Sequence, residues 1–179
     1  MRLFFAYWPS PSKAEAMAPW VQSAHALYGG RMMRTDTLHM TLAFLGQADE
    51  AATQHLVAAC QEWTLPSGSM VLREPGRFLN AKVVWLGPAA AEPASLEWLY
   101  RANEQLWAQL APLGWSPRET AFRPHVSLLR NAGPGPLEAL QGPTVHWTPK
   151  RCVLVGSRPT QAGSRYTVLA EIPLANEPH

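Results

Sequence analysis

Two short stretches of the chain repeat each other, namely Leu38-His39-Met40-Thr41-Leu42 and Pro124-His125-Val126-Ser127-Leu128. Each carries a histidine, an aliphatic residue, a small hydroxyl residue and a leucine, in that order. The two histidines are 86 residues apart (125 − 39), which is close to half of the 179-residue chain. Self-similarity at such a separation is what an internal duplication predicts.

The spacing within each copy suits a β-strand that presents polar side chains on one face. Side chains alternate across a strand, so His39 and Thr41 project together, as do His125 and Ser127. Residues two apart have Cα atoms roughly 6.5–7 Å apart, which lets an imidazole and a hydroxyl contact different atoms of one tetrahedral group. If a two-fold axis relates the copies, all four side chains converge. This set predicts a phosphate site with one general acid and one general base.

The same residues argue against a resident metal ion. Hard cations prefer carboxylates, and two histidines lack the third protein ligand that is usual in a catalytic zinc site. Cys60 and Cys152 are the only cysteines, which is too few for a disulfide framework, and their spacing does not fit a zinc knuckle. A single bridge between them is an open alternative that nothing in the sequence supports. We therefore expect no metal and no cofactor, and we expect the reducing cytoplasm as the compartment.

The rest of the chain predicts an α+β fold. Apolar periodicity and turn residues predict helices at about 12–28, 49–63 and 95–110, and strands at about 3–8, 38–45, 69–79, 82–86, 122–129, 151–155 and 166–172. Ser12 and Asp49 are the expected N-terminal caps of the first two helices, and Pro19 predicts a kink or a late start in the first. Residues 131–149 are expected to form a loop. We predict a single domain over residues 1–179, with two pseudo-symmetric lobes of mainly antiparallel sheet, helices on their outer faces and the active-site cleft between them.

Composition sets limits on the partners. Lys and Arg number 15 against 13 Asp and Glu, a formal net charge of +2, which excludes a strongly basic arm that holds long nucleic acid by counterion release alone. A local basic pocket is still compatible with this balance. The apolar run at residues 3–8 is too short for a signal-peptide core or a membrane span, so we expect a strand there and no membrane association.

Beyond the two motifs, the chain resembles the two-histidine phosphoesterase superfamily, and within it the RNA 2′,3′-cyclic phosphodiesterases that are historically labelled 2′-5′ RNA ligases. The residues that carry the resemblance follow the family's order through most of the chain: Arg2-Leu3-Phe4-Phe5-Ala6, Leu38-His39-Met40-Thr41-Leu42-Ala43-Phe44-Leu45-Gly46, Val84-Trp85-Leu86-Gly87, Phe122-Arg123-Pro124-His125-Val126-Ser127-Leu128, Arg130 and Val153-Leu154-Val155. The family usually has threonine where this chain has Ser127, which keeps the hydroxyl and loses a methyl group.

The resemblance implies hydrolysis of RNA ends that carry a 2′,3′-cyclic phosphate, leaving a 2′-phosphomonoester. It assigns His39 as proton donor and His125 as proton acceptor, with Thr41 and Ser127 on the non-bridging oxygens. Arg130 is the expected phosphate contact, and Arg123 is a weaker candidate. The expected substrate is RNA or an oligonucleotide, with small cyclic nucleotides as a further option, and no obligate protein partner is expected. Two alternatives stay open, namely ligation of 2′-5′ RNA ends and phosphate binding without turnover.

Overall fold

A computed structural model of the chain describes residues 1–89, 93–117 and 121–176. Its longer helices are Pro11–Tyr28 (α1), Glu50–Cys60 (α2) and Glu97–Leu110 (α3). Its strands are Arg2–Tyr7 (β1), Arg31–Met32 (β2), Met40–Gln47 (β3), Leu65–Ser67 (β4), Met70–Phe78 (β5), Val83–Pro88 (β6), Val126–Arg130 (β7), Val145–Trp147 (β8), Cys152–Thr160 (β9), Gly163–Ile172 (β10) and Leu174–Asn176 (β11). Single 3₁₀ turns lie at Thr35–Thr37, Pro93–Leu96, Ala111–Leu113 and Leu137–Ala139.

Most of the strands form one sheet in the order β10-β9-β1-β3-β7-β6-β5-β8, with β2 beside β7. Neighbours in this sheet are antiparallel, whereas β4 and β11 form a separate parallel pair. The bulky residues 3–7 are all buried because β1 lies inside the sheet and both of its faces are covered. The predicted α+β class with mainly antiparallel sheet is confirmed.

The sheet consists of two halves that meet at one point. One half is β10-β9-β1-β3 and the other is β7-β6-β5-β8, and they are joined by the single β3–β7 residue pair Met40 and Val126. In each half, two of the strands are connected along the chain through a helix, in the orders β1-α1-β3 and β6-α3-β7. This shared order supports an internal duplication, which stays a prediction.

The helices link the two halves. Helix α1 follows β1 but packs against β7 and β8 of the other half, and α3 follows β6 but packs against β3 and β4. Their buried side chains, including Met17, Trp20, Leu99 and Leu106, share one core with residues from both halves. A smaller apolar cluster of Phe4, Ala6, Val153 and Val155 is separate from this core, and Trp8 and Tyr166 pack against it.

The first residues of α1 and α2 can be compared with the N-terminal caps expected from the sequence. The expected cap of α2 is confirmed, because Asp49 Oδ1 accepts the backbone N–H of Ala52 at 2.7 Å. The expected cap at Ser12 is wrong. Ser10 is the cap, its Oγ accepts the N–H of Lys13 at 3.2 Å, and Pro11 takes the first helical position, where its missing N–H costs nothing. The helix therefore does not start late, and Pro19 lies inside it.

Two further expectations need correction. Residues 131–149 are not simply a loop, because β8 pairs with β5 and completes that edge of the sheet. The last predicted strands are longer and form a hairpin, β9–β10. Cys60 and Cys152 are buried free thiols. Within the described residues, no helix combines the length and the apolar character needed to cross a membrane.

Candidate active site

Both motif histidines lie at the point where the two halves of the sheet meet. His39 and His125 each occupy the position directly before a strand, β3 or β7, and so do not lie within the strands as predicted. Met40 and Val126, which follow them, are fully buried and pair with each other. In an antiparallel register, this pair brings His39 alongside Ser127.

The same register brings the second hydroxyl, that of Thr41, alongside His125. All four motif side chains are partly buried, and they alternate with the buried residues of their strands. The predicted convergence of two imidazoles and two hydroxyls is therefore compatible with the observed pairing of β3 and β7.

The two imidazoles are held by the same local contact. Nδ1 of His39 lies 2.7 Å from the carbonyl oxygen of Thr37, and Nδ1 of His125 lies 2.6 Å from that of Arg123. A carbonyl oxygen only accepts hydrogen bonds, so Nδ1 carries a proton in both rings. Nε2 is then the ring nitrogen that can gain or lose a proton during chemistry.

Aromatic side chains enclose His39. Its ring stacks on Trp8 at a centroid distance of 4.8 Å and an interplanar angle of 6°, and on Phe4 at 5.0 Å and 25°. Tyr166 contacts the ring edge-on at 5.6 Å. This burial lowers the pKa of His39 to about 4, despite the opposing contact with the Thr37 carbonyl. His39 is therefore neutral at pH 7.

His125 has a different aromatic environment. Phe78 contacts it edge-on at 4.9 Å and 87°, and Trp85 lies at 6.0 Å with the rings tilted by 53°. The indole of Trp85 covers Gly76, where a Cβ would clash with the ring. Its Nε1 is buried and has no hydrogen-bond partner among the described residues. Neither aromatic ring stacks flat on this imidazole.

A bulge in β7 determines where Arg130 lies. Leu128 and Leu129 are consecutive and fully buried, and the β6–β7 register shifts at this point. In a regular strand, Arg130 would face away from Ser127, but the extra residue reverses the alternation. The charge of Arg130 contributes to the lowered pKa of His39, as does that of His125, so the three groups are within electrostatic reach of one another.

Arg123, the second predicted phosphate contact, is placed less directly than Arg130. The side chain of Arg123 is exposed, and it is the Arg123 carbonyl that contacts His125. Two further arginines come before the first motif. Arg31 of β2 is exposed and stands opposite Arg130 in the sheet. Arg34 forms an exposed ion pair with Asp36 at 3.4 Å.

This arrangement can bind an anion and move protons. Two imidazoles, two hydroxyls and one guanidinium provide donors for phosphate oxygens and a pair of proton-transfer groups. No group of three or more His, Cys, Asp and Glu that could hold a metal ion occurs in the described part of the chain.

Sequence reasoning missed the aromatic enclosure of His39. Phe4 and Trp8 are an even number of residues apart on and just after β1, which is the strand next to β3, and such spacing places side chains on one face. This signal was present in the sequence, but it needs the β1–β3 pairing before it can be interpreted. Tyr166 reaches His39 from β10, two strands beyond β1, and no local pattern predicts that contact.

Comparisons with known proteins agree with this geometry. Residues 9–156 match the family model described as the 2′-5′ RNA ligase superfamily. The chain is 33% identical over 131 residues to an Escherichia coli protein named RNA 2′,3′-cyclic phosphodiesterase, covering 73% of this chain and 72% of that protein. It is 28% identical to a Thermus thermophilus protein of the same name, covering 99% and 92% of the two chains.

Solved structures show the same fold. The crystal structure of Escherichia coli LigT complexed with 3′-AMP aligns with a TM-score of 0.80 and 27% identity, covering 97% of both chains. A Thermus thermophilus crystal structure aligns with a TM-score of 0.78 and 26% identity, covering 99% of this chain and 100% of the other. The family model matches most of the length of this chain, and the chain therefore belongs to the 2′-5′ RNA ligase superfamily.

Proposed function

We propose that the chain is a phosphodiesterase that hydrolyses the 2′,3′-cyclic phosphate at an RNA end to a 2′-phosphomonoester, and that His39 and His125 carry the proton transfers without a metal ion. The observation that supports this most strongly is the pair of imidazoles, both fixed through Nδ1, beside the join between the two halves of the sheet. The curated relatives named RNA 2′,3′-cyclic phosphodiesterase support the same reaction.

The reaction needs a base and an acid on opposite sides of phosphorus. Water attacks phosphorus in line with the bond to the 3′-oxygen, and this bond breaks while the 2′-oxygen keeps the phosphate. One neutral imidazole removes a proton from the water, and one imidazolium donates a proton to the departing 3′-oxygen. Following the family resemblance, His39 is the donor and His125 is the acceptor.

The pKa of His39 places a condition on the donor role. With a pKa of about 4, His39 does not carry a second proton at pH 7. The negative charge of a bound cyclic phosphate raises this pKa, because it favours the imidazolium. The donor role therefore requires His39 to take up a proton as the substrate binds.

The remaining site residues hold the phosphate. Thr41 and Ser127 donate hydrogen bonds to the non-bridging oxygens, and Arg130 supplies positive charge, by two parallel hydrogen bonds where its geometry allows. These contacts stabilise the negative charge that develops on the oxygens in the transition state. Arg123 is a weaker candidate for the same task, because its side chain is exposed.

A direct assay tests the reaction and the metal requirement together. An RNA oligonucleotide with a 2′,3′-cyclic phosphate end is incubated with the purified chain in excess chelator, and the phosphate position in the product is determined. We expect a 2′-phosphomonoester and no loss of rate in chelator, because the histidine pair needs no Lewis acid. An inactive chain, or one that loses activity in chelator, would contradict the proposal.

Ligation of 2′-5′ ends and binding without turnover remain the alternatives. In ligation, a 5′-hydroxyl replaces water as the nucleophile and the same bond to the 3′-oxygen breaks, so the assay is repeated with RNA that ends in a 5′-hydroxyl, and joined products are sought. Binding alone does not need an acid–base pair, which the two imidazoles supply. We also propose the cytoplasm as the compartment, with which the two free thiols are compatible.

A further inference from the structure

A second anion-binding surface lies outside the histidine cleft. The described residues form a groove of about 700 Å³ where the ends of β5 and β8, the start of α1 and the turn before α3 come together. Its basic lining residues are Lys13, Arg73, His146 and Lys150. The hydroxyl residues Ser69, Ser95 and Thr148 also line it, and no described lining residue is acidic.

Among the residues that the structure describes, no acidic side chain compensates the positive charge of this groove. Lys13, Arg73 and Lys150 form no ion pair with any residue in the described part of the chain, whereas the neighbouring Arg151 pairs with Glu171 at 3.5 Å. Helix α1 begins at the groove and has no acidic residue in its first turn, although its N-terminus favours negative charge. A cluster of like charges around a concave surface attracts an anionic partner.

One wall of the groove leads to His125. Strand β5 begins at the groove, with Val71 in its lining, and ends at Phe78, which packs edge-on against His125. Val71 and Phe78 are seven residues apart, or roughly 23 Å along an extended strand. A ligand that reaches both places is larger than one nucleotide.

The segment that follows β8 leads to His39. Lys150 precedes Arg151, whose carbonyl accepts the backbone N–H of Trp8 at 3.1 Å. Trp8 in turn stacks on His39. The groove is therefore connected through single structural elements to the surroundings of both histidines, as expected for an extension of one binding site.

We propose that this groove binds the phosphate backbone of the same RNA strand whose cyclic phosphate end occupies the histidine cleft. The proposal rests on the proposed function, and it makes an oligonucleotide several residues long the preferred substrate, ahead of a cyclic mononucleotide. Positively charged grooves that follow the backbone are how proteins hold single-stranded nucleic acid without reading its sequence.

Charge reversal in the groove provides the test. Arg73→Glu and Lys150→Glu change exposed side chains, and Arg165→Glu on β10, at the other edge of the sheet, is the matched control. At low salt, we expect each groove variant to raise KM for a cyclic-phosphate RNA of about eight nucleotides at least 5-fold. KM for a 2′,3′-cyclic mononucleotide, kcat for both substrates and all values for the control should stay unchanged.

Binding measurements separate this proposal from the proposed function. Fluorescence anisotropy with the same RNA, carried out over a range of salt concentrations, reports affinity even if neither substrate is hydrolysed. The dependence of log K on log salt should become less steep by about 0.7 for each phosphate contact that a variant removes. Three results would each overturn the proposal. The groove variants could bind the oligonucleotide as tightly as the parent chain does, or their binding of the mononucleotide could weaken as much as their binding of the oligonucleotide. Polyglutamate could also displace the bound RNA as effectively as RNA itself does.

Discussion

His39 and His125 occupy equivalent positions in the two halves of the sheet, but their surroundings differ. Each precedes a strand and contacts, through Nδ1, the carbonyl two residues earlier. His39 has flat-stacked aromatic neighbours, whereas those of His125 are edge-on or tilted. The common backbone arrangement orients both rings in the same way, and the side chains around them provide different environments for the two protons.

The comparison extends to the residue five positions after each histidine. Arg130 follows His125 at this spacing, and Phe44, which is 44% exposed, follows His39. In both strands, a register shift and two consecutive buried residues come just before this position. One half therefore presents a cation and the other an aromatic ring. A symmetric scaffold gives an asymmetric cleft, and different environments are how two like groups acquire separate acid and base roles.

Removal of either imidazole should have the largest effect. We expect His39→Ala and His125→Ala each to lower kcat by at least about 10²-fold, because each removes one proton-transfer group. The measurement is the rate of hydrolysis of a cyclic-phosphate RNA under saturating conditions. His55→Ala, an exposed histidine on α2, is the control and should keep the parental rate. A near-parental rate in either motif variant would exclude the acid–base pair.

The difference between Arg130 and Phe44 provides the next test. Arg130→Ala should lower kcat/KM by about 10- to 10²-fold, because the transition-state charge on the phosphate loses its cationic partner. Arg130→Lys should recover part of this loss, since it restores a charge without the planar fork. Phe44→Ala, measured in parallel, should affect kcat less than Arg130→Ala. An equal loss of kcat in these two variants would mean that charge at this position is not what matters.

Trp8 tests how the environment of His39 sets its pKa. Trp8→Ala should raise the pKa of His39 from about 4 towards the ordinary value near 6.5, because water reaches the ring once the stacked indole is removed. The measurement is an NMR titration of the imidazole Cε1 proton. Trp8→Phe keeps a stacked ring and should shift the pKa less. If the pKa does not change in Trp8→Ala, other groups determine it.

The same variant distinguishes the two assignments of proton donor and acceptor. A raised pKa increases the protonated fraction of His39 at pH 7, which helps a donor and hinders an acceptor. The comparison is therefore made on the pH dependence of kcat/KM, which reports ionisation in the free enzyme. With the pKa of His39 at about 4, the rising limb follows His39 in either role and moves to higher pH in both cases. A higher maximum of kcat/KM in Trp8→Ala supports His39 as donor, and an unchanged or lower maximum supports it as acceptor.

Parts of this site could be predicted from the sequence because they depend on local spacing. The alternation of histidine and hydroxyl in each motif, and the cap at Asp49, require only neighbouring residues. The choice of Ser10 over Ser12 as the cap of α1 was less accessible, because both are serines near prolines and only the helix start separates them.

Other parts depend on strand pairing between distant segments. The bulge that reorients Arg130 arises in the β6–β7 ladder, and a regular alternation applied to the sequence would place this side chain on the wrong face. The stacking of Trp8 on His39 and the approach of Tyr166 likewise need β1, β3, β9 and β10 to be assembled in order. Local periodicity contains none of this information.

Exchanging one hydroxyl residue for the other should have the smallest effect on kcat/KM. Thr41 and Ser127 hold equivalent places, but only threonine has a methyl group that restricts χ1. Ser127→Thr should therefore change kcat/KM by less than about 3-fold, while Ser127→Ala and Thr41→Ala, which lose the hydroxyl itself, should cost more. Measured together, these variants separate the hydrogen bond from the stiffness of the side chain that makes it. A large loss in Ser127→Thr would show instead that the His125 half has no room for a methyl group, and that the two halves differ in shape as well as in charge.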